Sequence, residues 1–355
     1  MRRFLKESRP PWPWLSTAFA LLVIFFAIPD YIAALESAQQ GLIYYQFTQI
    51  ALLSVATCGV WLTFYIGRIN IGQGALCIIG SYVSAILISK FDVSYWLTLP
   101  LAGLFCALVG IVIGWPILRL RGVYFAMITL ILTEVAKLIV LNFPAVTNGA
   151  RGITNLPLPS EISIFGVSLV PAFTADNNRM GFYYLSMFVL VLTLIGVYRL
   201  VHSRIGRLCK SLQQNEELAS SLGVNLVLLR LIPFCISCFL GGVAGALAAG
   251  VQHNVGPSIF TVQDSVNFML YCFMGGLGNL FGPLVGTAIL RMGWNYLSLA
   301  NEYQLLLYAI ALIVLMLIIP NGVMSLSPRS MYRKILVWTR NRSSKMKSAT
   351  PNVKS

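Results

Sequence analysis

"LIPFCISCFLGGVAGALAAGV", Leu231 to Val251, carries no charged side chain and shows no recurring polar face. A helix needs about 20 mostly apolar residues to cross the roughly 30 Å hydrocarbon core of a bilayer, so this stretch reads as a membrane span. Its Gly241, Gly245 and Ala249 repeat at every fourth position, a stripe of small residues that lets a second helix approach closely. Cys235 and Cys238 form a C-x-x-C inside the same apolar run, with no nearby His or strand pattern, and read as two small core residues.

Working outward, comparable runs appear at Leu15 to Ile28, Leu42 to Ile66, Ile71 to Ile88, Trp96 to Trp115, Val123 to Leu141 and Phe182 to Val201. With 57% hydrophobic and 10% charged residues, the chain is a polytopic membrane protein rather than a soluble domain. The first run follows a basic stretch but lacks a small-x-small cleavage site before Pro29 and Asp30, so it reads as a signal-anchor span. Six of the 7 Cys lie in apolar runs, and no disulfide framework is expected.

The formal charge of +14 is concentrated beside the spans. Arg2, Arg3, Lys6 and Arg9 precede the first run, and Arg329, Arg333, Lys334, Arg340 and further cations follow the last. Both termini are therefore expected in the cytoplasm, the second as a basic tail over 321–355, and no nucleic-acid partner is needed to explain the basicity. Arg68, Arg119, Arg121, Arg199, Arg204, Arg207 and Lys210 mark inner loops. After Val251 parity requires an odd number of further crossings, and Gln263 to Gly275, Phe281 to Leu297 and Leu305 to Pro320 supply three. Between the first two, Gly275, Gly276, Gly278, Gly282 and Pro283 form a hinge or packing turn near the inner face. The expected fold is a single all-α integral membrane domain over residues 1–355, with about ten transmembrane helices. The groups starting at Leu42 and Leu231 enter from opposite sides with four spans each, which is the arrangement of an inverted repeat. Residues 142–181 form the longest outer connection, too polar to span, and are expected as an extracytoplasmic loop.

Nothing in the sequence resembles a catalytic centre. No HExxH, GxSxG or Walker lysine motif is present, and the 2 His fall at opposite ends of different spans. "GGLGNLFG" follows no strand and precedes no G-K-[ST], so it is not a phosphate loop. The chain is expected to be a non-enzyme that holds no metal and no cofactor. Two features stand out instead. Glu134, taken as the single acid inside a span, sits three residues before Lys137, where the two can neutralise each other; the pair reads either as structural or as part of a pathway. "YIGRINIGQGALCIIGSY", Tyr65 to Tyr82, interrupts apolar sequence with Asn70, Gly72, Gln73 and Gly74. It reads either as a broken helix near a translocation path, with Asn70 and Gln73 beside Glu134 as candidate lining residues, or as a tightly packed inner turn.

The inner connection over 202–230 is more polar than a turn requires. Within "CKSLQQNEELASSLGVN", Cys209 to Asn225, the positions Ser211, Leu212, Asn215, Leu218, Ala219 and Leu222 recur at helical spacing, and Gly223 supplies a C-cap. Gln213, Gln214, Glu216 and Glu217 make such a helix a poor partner for anionic lipid, so docking to a soluble protein fits better.

The segment from Ser203 to Asn225 resembles the cytoplasmic coupling loop of ABC importer permeases, in the form typical of the LivM-type branched-chain amino acid family. Gly206, Arg207, Asn215, Glu216, Ala219 and Gly223 match its pattern, whereas Ser211, Gln213 and Gln214 depart from it. "INIGQGALCIIGSY", "LRLRGVYFAMITLILTEVAKLI" with the run Asn148 to Ile153, and "FMGGLGNLFGPLVGTAIL" are similar to further family motifs, in the family's order. The resemblance implies a type II ABC-importer-like permease subunit of the inner (plasma) membrane. It also implies two ABC ATPase subunits that carry ATP and Mg, a second homologous permease and an extracytoplasmic substrate-binding protein as partners. The implied cargo is branched-chain or other amino acids, with urea or amides as alternatives within the family. A self-sufficient ion-coupled transporter using Glu134 and Lys137 is the rival from another class.

Overall fold

The structure, a computed structural model, describes residues 37–120, 122–160, 162–164, 167–170, 178–214, 226–297, 303–318 and 322–326. The expected first span at Leu15 to Ile28 and the tail from Arg329 onward lie outside the described residues. The long helices are α1 (Ser37–Tyr65), α2 (Gln73–Phe91), α3 (Tyr95–Ile117) and α4 (Val123–Asn142). After a single turn, α5 (Pro144–Thr147), come α6 (Asn178–His202), the amphipathic α7 (Arg204–Gln214) and α8 (Leu226–Gln252). Three shorter helices follow, α9 (Val262–Gly275), α10 (Gly282–Leu297) and α11 (Gln304–Ile318).

Among the described residues, α1, α2, α3, α4, α6 and α8 are long and apolar enough to cross a membrane. At 14, 16 and 15 residues, α9, α10 and α11 fall below the roughly 20 residues of a full crossing. The chain is also not wholly helical: β1 (Ile162–Ile164) and β2 (Val167–Val170) pair antiparallel within the 142–181 connection. Both neighbouring helices extend beyond their expected ends. Leu226 to Arg230 belong to α8 rather than to the inner connection, because Leu229 and Arg230 are buried against the bundle.

The opening stretch lies at the centre, where α8 packs on α1, α2 and α3. Its glycines explain how. A β carbon on Gly245 would meet the Cys77 carbonyl and lie 2.8 Å from the Ser81 nitrogen, and one on Gly242 would lie 2.7 Å from the Ala102 carbonyl oxygen. The helices therefore touch backbone to backbone, the close packing that small residues permit where lipid supplies no hydrophobic drive to associate. A similar contact closes the α9–α10 hairpin, where Gly275 and Gly286 lie against Gly282 and the Tyr271 carbonyl. Gly276 takes φ 102° at the turn, while Gly278 faces open space.

The bundle has two chemically different ends. At one end Trp61 Nε1 donates to the Leu277 carbonyl (3.1 Å) and Gln213 Nε2 to the Phe64 carbonyl (3.2 Å), which gathers the α1 terminus, the α9–α10 turn and α7. At the other, Lys90 Nζ donates to the Ala145 carbonyl (3.0 Å), Trp96 Nε1 to the Ser160 carbonyl (2.9 Å), and Ile153 pairs with Val255. His202 and His253 fall at opposite ends, since His253 packs on Phe182 at the start of α6 and His202 closes that helix.

Candidate functional site

The chain turns from α6 into α7 at Ser203, whose Oγ accepts from the Gly206 nitrogen (3.2 Å), as an N-cap does. Gly206 is required here by close approach, because a β carbon would run into the Leu200 and Val201 carbonyls. Arg207 Nη1 donates to the His202 carbonyl (2.8 Å) and braces the corner. The apolar side of α7, Cys209 and Leu212, is buried with Ile66 and Leu229. Cys209, placed by the sequence in a polar segment, is thus a core residue, and burial pushes its thiol up to about 11. Lys210, Ser211 and Gln214 are exposed on the opposite side. Asn215, Glu216, Ala219 and Gly223 lie outside the described residues.

The irregular segment 66–72 separates α1 from α2 at the same end. Protein groups hold much of its backbone. Asn70 Oδ1 accepts from the Gly72 nitrogen (2.9 Å) and Thr129 Oγ1 of α4 accepts from the Ile71 nitrogen (3.1 Å). Gln73 is fully buried: Nε2 donates to the Ser237 carbonyl (3.1 Å), and Ser237 Oγ returns a bond to Oε1 (3.1 Å). Gly59 and Gly241 make the space for that amide, since β carbons there would lie 2.6 and 2.9 Å from Nε2. At the next residue, Ser265 Oγ accepts from the Gly74 nitrogen (3.0 Å) and meets Thr133 Oγ1 (3.0 Å). The result is a buried polar seam joining α2, α4, α8 and α9.

Glu134 is not part of that seam. Thr133 turns into it, and Glu134 points the other way, part-exposed and paired with Lys137 at 3.3 Å. The structure thus brings Asn70 and Gln73 into one packed region and leaves Glu134 on the outer side of α4.

A third feature is a cavity of about 340 Å³ between α1, α8, α9, α10 and α11. Gln49, Asp264, Asn267, Tyr271, Arg291 and Tyr308 supply its polar lining. Asp264 Oδ2 accepts from the nitrogen and Oγ1 of Thr261 (2.8 Å each), completing a capping box at the start of α9. Asp264 thus stands at the start of α9, within the stretch Gln263 to Gly275 that the sequence offered as a crossing.

The family model for the permease component of branched-chain amino acid transport systems matches residues 42–318. The chain belongs to this family. It is 30% identical over 279 residues to the high-affinity branched-chain amino acid transport permease LivM of Salmonella typhimurium and 29% identical to LivM of Escherichia coli. Each alignment covers 74% of this chain and 64% of the relative, so the chain spans less than two thirds of those LivM proteins. LivH of Salmonella typhimurium is 28% identical over 73% of this chain and 86% of its own length. No solved structure matches.

The matched region of the chain begins inside α1 and ends with α11, so it contains α7, the seam and the cavity. Sequence reasoning singled out the segment of α7 and the residues Asn70 and Gln73, and passed over the cavity. Its signals were present: a T-x-x-D box at Thr261 to Asp264 directly ahead of an apolar helix, and one cation, Arg291, within another. They are legible as a site only once α9 and α10 are folded against α1.

Proposed function

We propose that the chain is a permease subunit of an ATP-driven importer for branched-chain or other amino acids, lodged in the inner membrane. It would work beside a second, homologous permease, two ABC ATPase subunits and an extracytoplasmic binding protein, with ATP and Mg held by the ATPases. The observation that carries this reading is α7, a helix seated on the bundle by Cys209 and Leu212 with its polar side outward, within a chain of this permease family. A helix fixed at one face and open at the other can pass a push from a docked ATPase into α1 and α8, whose ends it touches.

In this reading the chain crosses ten times with both termini inside. The short α9, α10 and α11 count as crossings in this reading. α1 and α8, each the first of four helices, run in opposite directions, as an inverted repeat requires. Reporter fusions after Ser355 and within 142–181 are expected on opposite sides of the membrane, and an outside carboxyl terminus would remove the parity argument.

The decisive experiment alters residues that follow α7 in the sequence. Ala219→Trp adds bulk to a close-packed contact, an overpacking that costs about 1–3 kcal/mol, and Glu216→Lys reverses a charge offered to the partner. Both variants are expected to insert normally, to lose ATP-dependent uptake in vesicles and to release the ATPase subunits on co-purification. Wild-type uptake in both would reduce this stretch to a polar linker.

A further inference from the structure

The cavity between α1 and the α9–α10 hairpin is polar in an unusual way for its depth. Arg291 stands within α10, an otherwise apolar helix, and its Nε is buried with no hydrogen-bond partner; Gln49 Nε2, from α1, is in the same condition. Buried donors without acceptors cost free energy, and intramembrane cations mark ligand paths unless something neutralises them. The acid of the cavity is Asp264. Both bonds from Thr261 go to its Oδ2, so Oδ1 keeps its lone pairs. Tyr271 and Tyr308 line the same cavity as Asp264 and Arg291. Leu53, Phe260 and Phe268 give the rest of the wall an apolar character.

We infer that this cavity is a binding site for a zwitterionic α-amino acid with an apolar side chain, an inference that rests on the importer reading and names where its cargo is held. The carboxylate of the ligand accepts from Arg291 and Gln49, which supplies the acceptor both donors lack. The ammonium donates to Asp264 Oδ1, and the side chain lies against Leu53, Phe260 and Phe268. A free carboxylic acid would leave Asp264 facing an anion, and a simple amine would leave Arg291 facing a cation, so the pair selects a molecule carrying both charges. A volume of about 340 Å³ falls in the range of small-ligand sites, roughly 300–1,000 Å³. The cavity lies toward the end carrying the 142–160 segment, since Asp264 opens α9 there and Gln252, which closes α8, also lines it.

The test uses the complete permease–ATPase complex in lipid nanodiscs, without binding protein, and equilibrium binding of labelled leucine, isoleucine and valine. Isopentylamine and 4-methylpentanoate serve as probes lacking one charge each. The intact complex is expected to bind at least one of the amino acids, and both single-charge probes more weakly. Arg291→Gln is expected to weaken amino-acid binding about tenfold or more while isopentylamine, relieved of a like charge, binds no more weakly than to the intact complex. Asp264→Asn, which keeps a capping oxygen, is expected to weaken amino-acid binding likewise while 4-methylpentanoate, relieved of a like charge, binds no more weakly than to the intact complex. Gln49→Leu preserves size, removes an unpaired donor and is expected to fold even if the charge variants do not; it too should weaken amino-acid binding. Wild-type binding in Gln49→Leu and in whichever charge variants fold would overturn the site. So would a wild-type complex that imports these amino acids in vesicles with its binding protein yet binds none in nanodiscs, and the importer reading would survive that result. A complex that neither binds nor imports any amino acid would instead remove the importer reading, and the site with it.

Discussion

α1 and α4 are both apolar enough to cross a membrane, yet 94% of the most apolar stretch of α1 is buried inside the protein against 33% for α4. The less buried helix is the more hydrophobic of the two. Hydrophobicity therefore sets whether a helix enters the bilayer and says little about which helix occupies the centre. Lipid and protein interior are equally apolar, and what separates them is how closely backbones can approach. Small residues, Ala51, Ser54, Ala56, Thr57 and Gly59, run along the buried middle of α1. In α4 they are confined to one stripe, Ala126, Thr129, Thr133 and Ala136, while Met127, Ile131, Val135, Leu138 and Ile139 stay exposed.

The strongest challenge to this contrast is bulk at the centre. Gly245→Leu in α8 would meet the backbone of α2, which cannot yield as a side chain can, and is expected to destabilise by about 3 kcal/mol or more, with loss of a monodisperse peak in detergent. A protein that retains its elution profile and melting temperature would show that the core is less closely packed than α1 and α8 imply.

The end of α1 offers a second probe, because Ile66 and Cys209 share one apolar cluster. With its thiol pushed up to about 11 by burial, Cys209 holds its proton at pH 8, where the reactive thiolate is scarce. Maleimide labelling is expected to run about a hundredfold slower than for an exposed thiol of ordinary pKa near 8.5, and to accelerate as pH rises toward the shifted value. Fast labelling at pH 8 would mean that α7 leaves the bundle.

Within the seam, Gln73→Leu removes both bonds to Ser237 and is expected to cost about 1–3 kcal/mol in thermal or denaturant unfolding. Thr133→Val, which breaks a hydroxyl pair between α4 and α9, should cost about 0.6 kcal/mol, the typical value for an interhelical bond in a membrane protein. Equal losses in the two variants would erase the distinction between the centre and the inner stripe of α4.

The smallest effects belong to the outer side of α4. Ile131→Ala is expected to leave the melting temperature unchanged, and Glu134→Gln to cost at most about 0.5 kcal/mol, since the pair with Lys137 is part-exposed. Losses comparable to Gln73→Leu in the assembled complex, absent from the isolated chain, would show that another protein covers this face.

Much of the local structure was legible in the residues. Leu42 to Ile66, Trp96 to Trp115 and Val123 to Leu141 match α1, α3 and α4 closely, because apolar length in a bilayer leaves the helix as the structure that satisfies its own backbone. Ser203 and Gly206 mark the corner before α7, and the glycines from Gly275 to Gly282 mark the α9–α10 turn. The role of Gln73 was harder to read. Its amide resembles a lining group in sequence, and becomes a clamp through Ser237, 164 residues away.

The sequence by itself determined that the chain carries membrane-spanning helices, roughly where most of the long ones lie, and where several of them turn. These follow from transfer free energies and backbone hydrogen bonding, which are properties of each stretch on its own. Only the tertiary structure decided that α1 and α8 form the centre, that Glu134 lies outside the polar seam, and that Gln49, Asp264 and Arg291 share one cavity. Those outcomes depend on which backbones approach each other, and small residues far apart in sequence set that distance jointly.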